Sequence, residues 1–288
     1  MSDKMSREDL FSPNQEREQA REQGHNTRDV MRDDFGWEIP VDQAPLPSRG
    51  MLYDKDSTLY QRETVDIRAM TAKEEDILMS QAYIKQGTVI DKLLESCIVD
   101  KSIDVSELLV GDRNTILVAL RVTGFGSDYN ATTTCEHCDA KTTTTFDLTS
   151  LKLKNLEISP TTPGVNEFEV HLPVSNKMAT VSLMTAAVEK EIRETETRNQ
   201  EVLGINPDES RVTTRLTNIV KSIDGIRDRN KLKKFIEFMP LRDSRTIRHF
   251  VRDNEPGIDM KTSYNCGYCK QEAQVTLSLG LNFLWPSD

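Results

Sequence analysis

Cys135-Glu136-His137-Cys138 and Cys266-Gly267-Tyr268-Cys269 are two CxxC knuckles on one chain, and their reading decides the fold. A CxxC turn presents two sulfurs at the bite that a tetrahedral, thiolate-preferring ion such as zinc requires. The spacing inside each pair suits a zinc ribbon. The separation between pairs is far longer than in a local finger, so the fold itself has to bring them together. Their flanks repeat weakly: Asp128-Tyr129-Asn130-Ala131-Thr132-Thr133-Thr134 leads into the first knuckle and Asp259-Met260-Lys261-Thr262-Ser263-Tyr264-Asn265 into the second. A strand pattern follows each, carried by Thr144, Phe146 and Leu148 and then by Val275, Leu277 and Leu279. Each half therefore reads as a β-hairpin tipped by a knuckle.

Four thiolates fill a tetrahedron. A structural zinc held by Cys135, Cys138, Cys266 and Cys269 is the expected cofactor, without the open position that a catalytic metal keeps. Reduced thiols without metal, or a redox pair, are the other readings of the same residues. His137 could stand in for a cysteine, but belongs more simply to the knuckle turn. Cys97 shares a helical face with Ile90, Leu93 and Leu94 and reads as core.

Outward from the knuckles, the fold class expected is α+β. It comprises a small helical unit over 63–127, zinc-ribbon hairpins over 128–150 and 257–288, and a mixed α/β insertion over 151–256 between the knuckles. Thr71-Ala72-Lys73-Glu74 is a capping box that predicts a helix through Lys85, stopped by Gly87. Thr88 with Asp91 opens a second helix. Asp112 caps a third, which carries Ile116, Ala119 and Leu120 as far as Gly124-Phe125-Gly126. In the insertion, Phe168-Val170-Leu172 and Ala179-Val181-Leu183 alternate as strands, and Thr185 caps a charged helix to about Leu203. Leu216, Ile219, Val220 and Ile223 form a further helix face, followed by helices around Leu232–Met239 and Ile247–Val251.

Residues 1–40 are rich in Arg, Glu, Gln and Asp without an apolar stripe, which predicts a disordered or partner-docked tail. Residues 41–62 mix prolines with bulky apolar groups and read as an extended arm. Trp37, Leu46, Pro47, Leu52 and Tyr53 have to dock there, on their own domain or on a neighbouring subunit. Phe283 and Trp285, near the other end, are further candidate partner contacts.

Composition narrows the function classes. The 288 residues carry a formal net charge of −10, with 36% hydrophobic and 29% charged residues. An acidic surface repels phosphate backbones, so nucleic acid is not the expected partner, and Lys231-Leu232-Lys233-Lys234 reads as a solvated helix face. No stretch is long and apolar enough to span a bilayer, and the N-terminus lacks a signal-peptide pattern, so a soluble chain made in a cytoplasm is expected. No P-loop, dinucleotide fingerprint, HExxH or GxSxG is present, and His25, His137, His171 and His249 lie in unrelated contexts. Neither an enzyme nor a small-molecule substrate is expected.

Several motifs together resemble one family. Pro45-Leu46-Pro47-Ser48-Arg49-Gly50-Met51-Leu52-Tyr53, the stretch Leu108-Leu109-Val110-Gly111-Asp112-Arg113, and Leu120-Arg121 running through Gly124-Phe125-Gly126-Ser127-Asp128-Tyr129 into a knuckle are similar to the T-even-type bacteriophage baseplate (hub) protein family. The aromatic ending Asn282-Phe283-Leu284-Trp285-Pro286 is similar as well. The resemblance covers about residues 45–286. It implies a component or assembly factor of a contractile tail baseplate, made in the host cytoplasm, with other tail proteins as partners. A zinc-ribbon nucleic-acid-binding or regulatory protein is the alternative.

Overall fold

A computed structural model describes residues 39–203 and 207–285. Trp37 and the tail as far as residue 38 lie outside the described residues, as do residues 286–288. Strand β1 (Val41–Pro45) pairs antiparallel with β2 (Thr64–Arg68), Val41 opposite Arg68 and Pro45 opposite Thr64. Period-two alternation puts Ala44, Val65 and Ile67 inside. The expected arm is thus a strand continuing into a turn-rich loop. Gly50 in that loop has φ +68°, and a Cβ there would lie 2.3 Å from the Arg62 nitrogen, so only glycine fits.

The loop docks on its own chain. Leu46, Leu52 and Tyr53 are 2%, 4% and 5% exposed, and Pro47 is buried as well. Polar groups fix the register. The buried Asp112 carboxylate accepts the Ser48 N–H at 3.0 Å, the Ser48 hydroxyl at 2.5 Å and the Tyr53 hydroxyl at 2.6 Å. Asp112 is therefore not the cap that its position suggests. Helix α4 (Val110–Phe125) starts two residues earlier, leaving this carboxylate in the first turn to hold the loop.

The helices before α4 follow the capping chemistry with two differences. The box at Thr71 and Glu74 forms, opening α1 (Ala72–Met79). The single helix expected through Lys85 breaks at Ser80, whose backbone is extended and whose hydroxyl accepts the Tyr83 N–H to start α2 (Gln81–Gln86). Serine offers the backbone this alternative partner, and here the cap displaces continuous helix. Gly87, at φ +67°, ends α2. Helix α3 (Val89–Cys97) lacks the expected Thr88 side-chain cap. Its Leu93, Leu94 and Cys97 are fully buried, and burial pushes the Cys97 thiol up to about 12, as a core residue requires.

Strands β3 (Asp128–Thr134) and β4 (Lys141–Asp147) make the first hairpin, and β10 (Lys261–Asn265) with β11 (Glu272–Thr276) the second. Between the hairpins, β5 (Leu153–Lys154) pairs with β9 (Gly257–Ile258), so the insertion leaves and returns through one two-stranded neck. Inside it, β6 (Phe168–Leu172), β7 (Lys177–Val181) and β8 (Val220–Ile223) form a sheet in that order, accompanied by α5 (Ala186–Leu203), α6 (Pro207–Ile219), α7 (Arg229–Glu237) and α8 (Leu241–Asn254). The helix face expected to include Val220 and Ile223 ends at Ile219. The β-branched Val220 and Ile223 instead pair with Val181 and Ala179, closing the sheet. Asp224 and Gly225, both at positive φ, then turn the chain.

The insertion packs on the helical unit. The Val110 N–H donates to the Met184 carbonyl at 2.9 Å, the Ala186 N–H to that of Leu108 at 2.8 Å, and Arg113 pairs with Glu189 at 2.6 Å. One hydrophobic cluster runs from Ala44 through α3 and α4 into the three-stranded sheet and under both knuckles.

A Cβ on Gly111 would sit 1.7 Å from the Pro256 carbonyl oxygen, inside backbone that cannot yield. Gly111→Ala is expected to destabilise the protein by about 3 kcal/mol or more, read by denaturant titration. Glu74 supplies a pH dependence. Burial pushes its carboxyl upward, but hydrogen bonds from Arg68, Ser96 and Thr71 outweigh it and hold it at about 2 against an ordinary 4.5. Stability from this group is present above pH 4.5 and drains away as pH falls towards 2. Glu74→Gln is expected to cost about 2 kcal/mol at pH 7 and to flatten that acid limb.

Candidate metal centre

The two knuckles are the same turn built twice. In the first, the Cys135 N–H donates to the Ala140 carbonyl at 3.0 Å and the Asp139 N–H to that of Cys135 at 2.9 Å. In the second, Cys266 donates to Gln271 at 2.9 Å and Lys270 to Cys266 at 3.0 Å. Asp139 and Lys270, the residues that follow each second cysteine, both take positive φ, 55° and 61°. The repeat seen in the flanking sequence thus extends into the backbone.

Facing hairpins bring the sulfurs together. Cys135 Sγ lies 3.8 Å from Cys269 Sγ, and Cys138 Sγ lies 3.8 Å from Cys266 Sγ. All four fall within 4.8 Å of one another. A tetrahedron with metal–sulfur bonds of about 2.3 Å has edges of about 3.8 Å, so the donor set fits one ion. The same separation is well beyond a bonded disulfide, and all four thiols are free. Cys135 and Cys266 are buried, Cys269 is half-buried and Cys138 exposed.

The thiols of the cluster are not alike. Backbone N–H groups of Cys269 and Tyr268 draw the Cys266 thiol down to about 6. Cys138 goes the other way, to about 12: the Ala140 N–H favours its thiolate, but desolvation and the neighbouring cysteine sulfurs outweigh it. Four thiolates at these distances would repel, and a bound cation would remove the conflict by deprotonating them together.

His137 is not drawn into this group. Its Nε2 lies 3.1 Å from the Glu272 carbonyl, across the gap between hairpins, while Glu136 Oε1 accepts the Gln274 N–H at 3.3 Å. Both residues tie the first knuckle to the backbone of the second hairpin. Beneath them, Phe146 meets Tyr264 edge-on at 6.0 Å between ring centres. A metal ion would therefore be one of three ties between the hairpins, alongside side-chain hydrogen bonds and packing, and the neck below adds a fourth.

The candidate partner contacts lie mostly inside. Leu46, Pro47, Leu52 and Tyr53 face the chain's own core, as described. Phe283, on the short helix α9 (Leu281–Leu284), is 1% exposed and packs against Tyr129 at 5.0 Å. Its carbonyl accepts the Arg121 Nε–H at 3.1 Å, and Trp285 is half-buried. Large exposed apolar groups occur elsewhere: Phe238 is 86% exposed and Leu241 71%, flanking the turn between α7 and α8. The sequence held a signal for them. Phe238 falls off the Leu232–Phe235–Ile236–Met239 stripe, two residues before the helix-stopping Pro240.

Among the described residues, no helix is long and apolar enough to cross a membrane. The family model described as T4 bacteriophage base plate protein matches residues 51–285, which include both knuckles. Neither the curated proteins nor the solved structures yield a match.

Metal analysis of the purified protein is expected to return one ion per chain, and Cys138→Ser or Cys269→Ser to abolish it. The loss should lower stability by several kcal/mol, less than the roughly 10 kcal/mol of isolated metal-folded modules, because the neck and cross-hairpin bonds remain.

Proposed function

The chain belongs to the T4 bacteriophage base plate protein family, and on that premise we propose that it builds, or helps to assemble, the hub region of a contractile tail baseplate. The family match over 51–285 carries this reading. It assigns the chain to a structural family of the virion tail, with other tail proteins as partners. The ion we propose is zinc, held by Cys135, Cys138, Cys266 and Cys269 as a brace. A four-thiolate set leaves no coordination position for substrate, so its contribution is to rigidity. Assembly takes place in the host cytoplasm, where thiols stay reduced and available to metal.

The partner surface we propose is the α7–α8 turn. Phe238 and Leu241 are exposed well beyond what a solvated helix end needs, and an aromatic anchor beside an aliphatic one suits an apolar pocket on a neighbouring tail protein. The alternative of a nucleic-acid-reading ribbon has less support, since Glu136, Asp139 and Glu272 flank the knuckles with negative charge.

Two measurements test this. A mass-spectrometric inventory of purified particles is expected to find the chain, or to find it in baseplate precursors if it acts only during assembly. Its absence from both sinks the proposal. Phe238→Asp is expected to cut incorporation about tenfold, equivalent to about 1.4 kcal/mol, while metal content and thermal midpoint stay unchanged. Absorbance of the purified protein separates zinc, which is colourless, from iron in the same ligand set.

A further inference from the structure

A cleft of about 1010 Å³ lies where α6, α8, the β5–β9 neck and the start of α4 meet. Its charge is opposite to that of the chain as a whole. Arg211 and Arg215 stand one helical turn apart on α6, Arg248 and Arg252 one turn apart on α8, and Lys152 and Lys154 two apart in extended chain, so each pair lines the same side of its element. Lys261 adds a seventh basic group, against three carboxylates, Glu157, Glu255 and Asp259. Some of these groups are partly engaged: Lys154 donates to the Arg252 carbonyl at 2.8 Å, the Arg252 guanidinium pairs with Asp253 at 2.8 Å, and Arg211 has a partner as well. Such an excess on a chain of formal net charge −10 makes the cleft a local positive well.

Its floor is apolar. Met184, Leu216 and Ile219 are buried beneath it, while Val212 and Leu153 are left 44% and 45% exposed. No aromatic side chain lines it among the described residues, so it has no platform for stacking bases. A basic rim over aliphatic ground recognises carboxylates and hydrophobic anchors on the same ligand.

We propose that this cleft binds an acidic segment of a partner protein, with aliphatic residues seated on Val212 and Leu153 and carboxylates facing Arg215, Arg248 and Lys152. The proposal rests on the reading of the chain as an assembly component and names the chemistry of one partner. It is separate from the Phe238 surface and from the cysteine centre.

The test uses the full metal-bound chain and a fluorescein-labelled dodecapeptide alternating glutamate with leucine, read by fluorescence anisotropy. Saturable binding is expected. It should weaken at least about tenfold when ionic strength rises from about 0.1 M to about 1 M, which shortens the screening length from about 10 Å to about 3 Å. Arg215→Ser with Arg248→Ser, and separately Val212→Asp, should each weaken it about tenfold, with thermal midpoints confirming that the variants fold. No saturable binding overturns the proposal. So does equal binding of an all-glutamate peptide, which would mean simple ion exchange, or tighter binding of oligo-thymidylate, which would make the cleft a nucleic-acid groove. A chain that is present in particles but does not bind the peptide refutes the cleft assignment alone; one that binds the peptide but is missing from particles refutes the baseplate reading instead.

Discussion

The rest of the structure depends on the close passage of two backbones. Gly111, at the start of α4, lies against Pro256 and Gly257, where the insertion re-enters the body, and the β5–β9 ladder closes the same point with hydrogen bonds. Glycine permits an approach that any side chain would forbid. Because the chain leaves and returns there, the hairpin that begins at Asp128 and the one that begins at Lys261 are carried on a common base. Their knuckles can then face each other. The cysteine cluster is a consequence of that closure.

This changes the physical role of the four sulfurs. In a small zinc module the ion stands in for a missing core. Here Cys135 and Cys266 lie at the end of a hydrophobic cluster that extends through the whole described body. An ion held there would lock the outer end of two hairpins whose inner ends the neck already fixes. A brace at the tips would resist shear between the hairpins.

Much of this was legible in the sequence. The CxxC spacing picked out the four cysteines whose sulfurs the fold gathers, the repeat around Asp128 and Asp259 identified the hairpins, and the capping box at Thr71 placed a helix start where one is found. What stayed hidden depended on distant partners. Asp112 reads as a cap until Ser48 and Tyr53 arrive to claim its carboxylate. Val220 and Ile223 continue a helical stripe until the edge of β7 offers them hydrogen bonds. The loop of Leu46 and Tyr53 looks like an arm in search of a neighbour, since nothing local shows that its pocket lies on the same chain. The basic cleft is invisible in a net charge of −10, because its basic residues come from stretches far apart along the chain.

The distance between the knuckles along the chain also sets a timetable. A polypeptide emerges from its N-terminal side, and elements fold as they become available. The first hairpin can form early, but it holds only two of the four sulfurs. The second pair, and the Phe283 carbonyl that Arg121 awaits, arrive only after the insertion has been made. The four-sulfur site can thus be completed only late, and an ion bound there would certify that translation has passed residue 269.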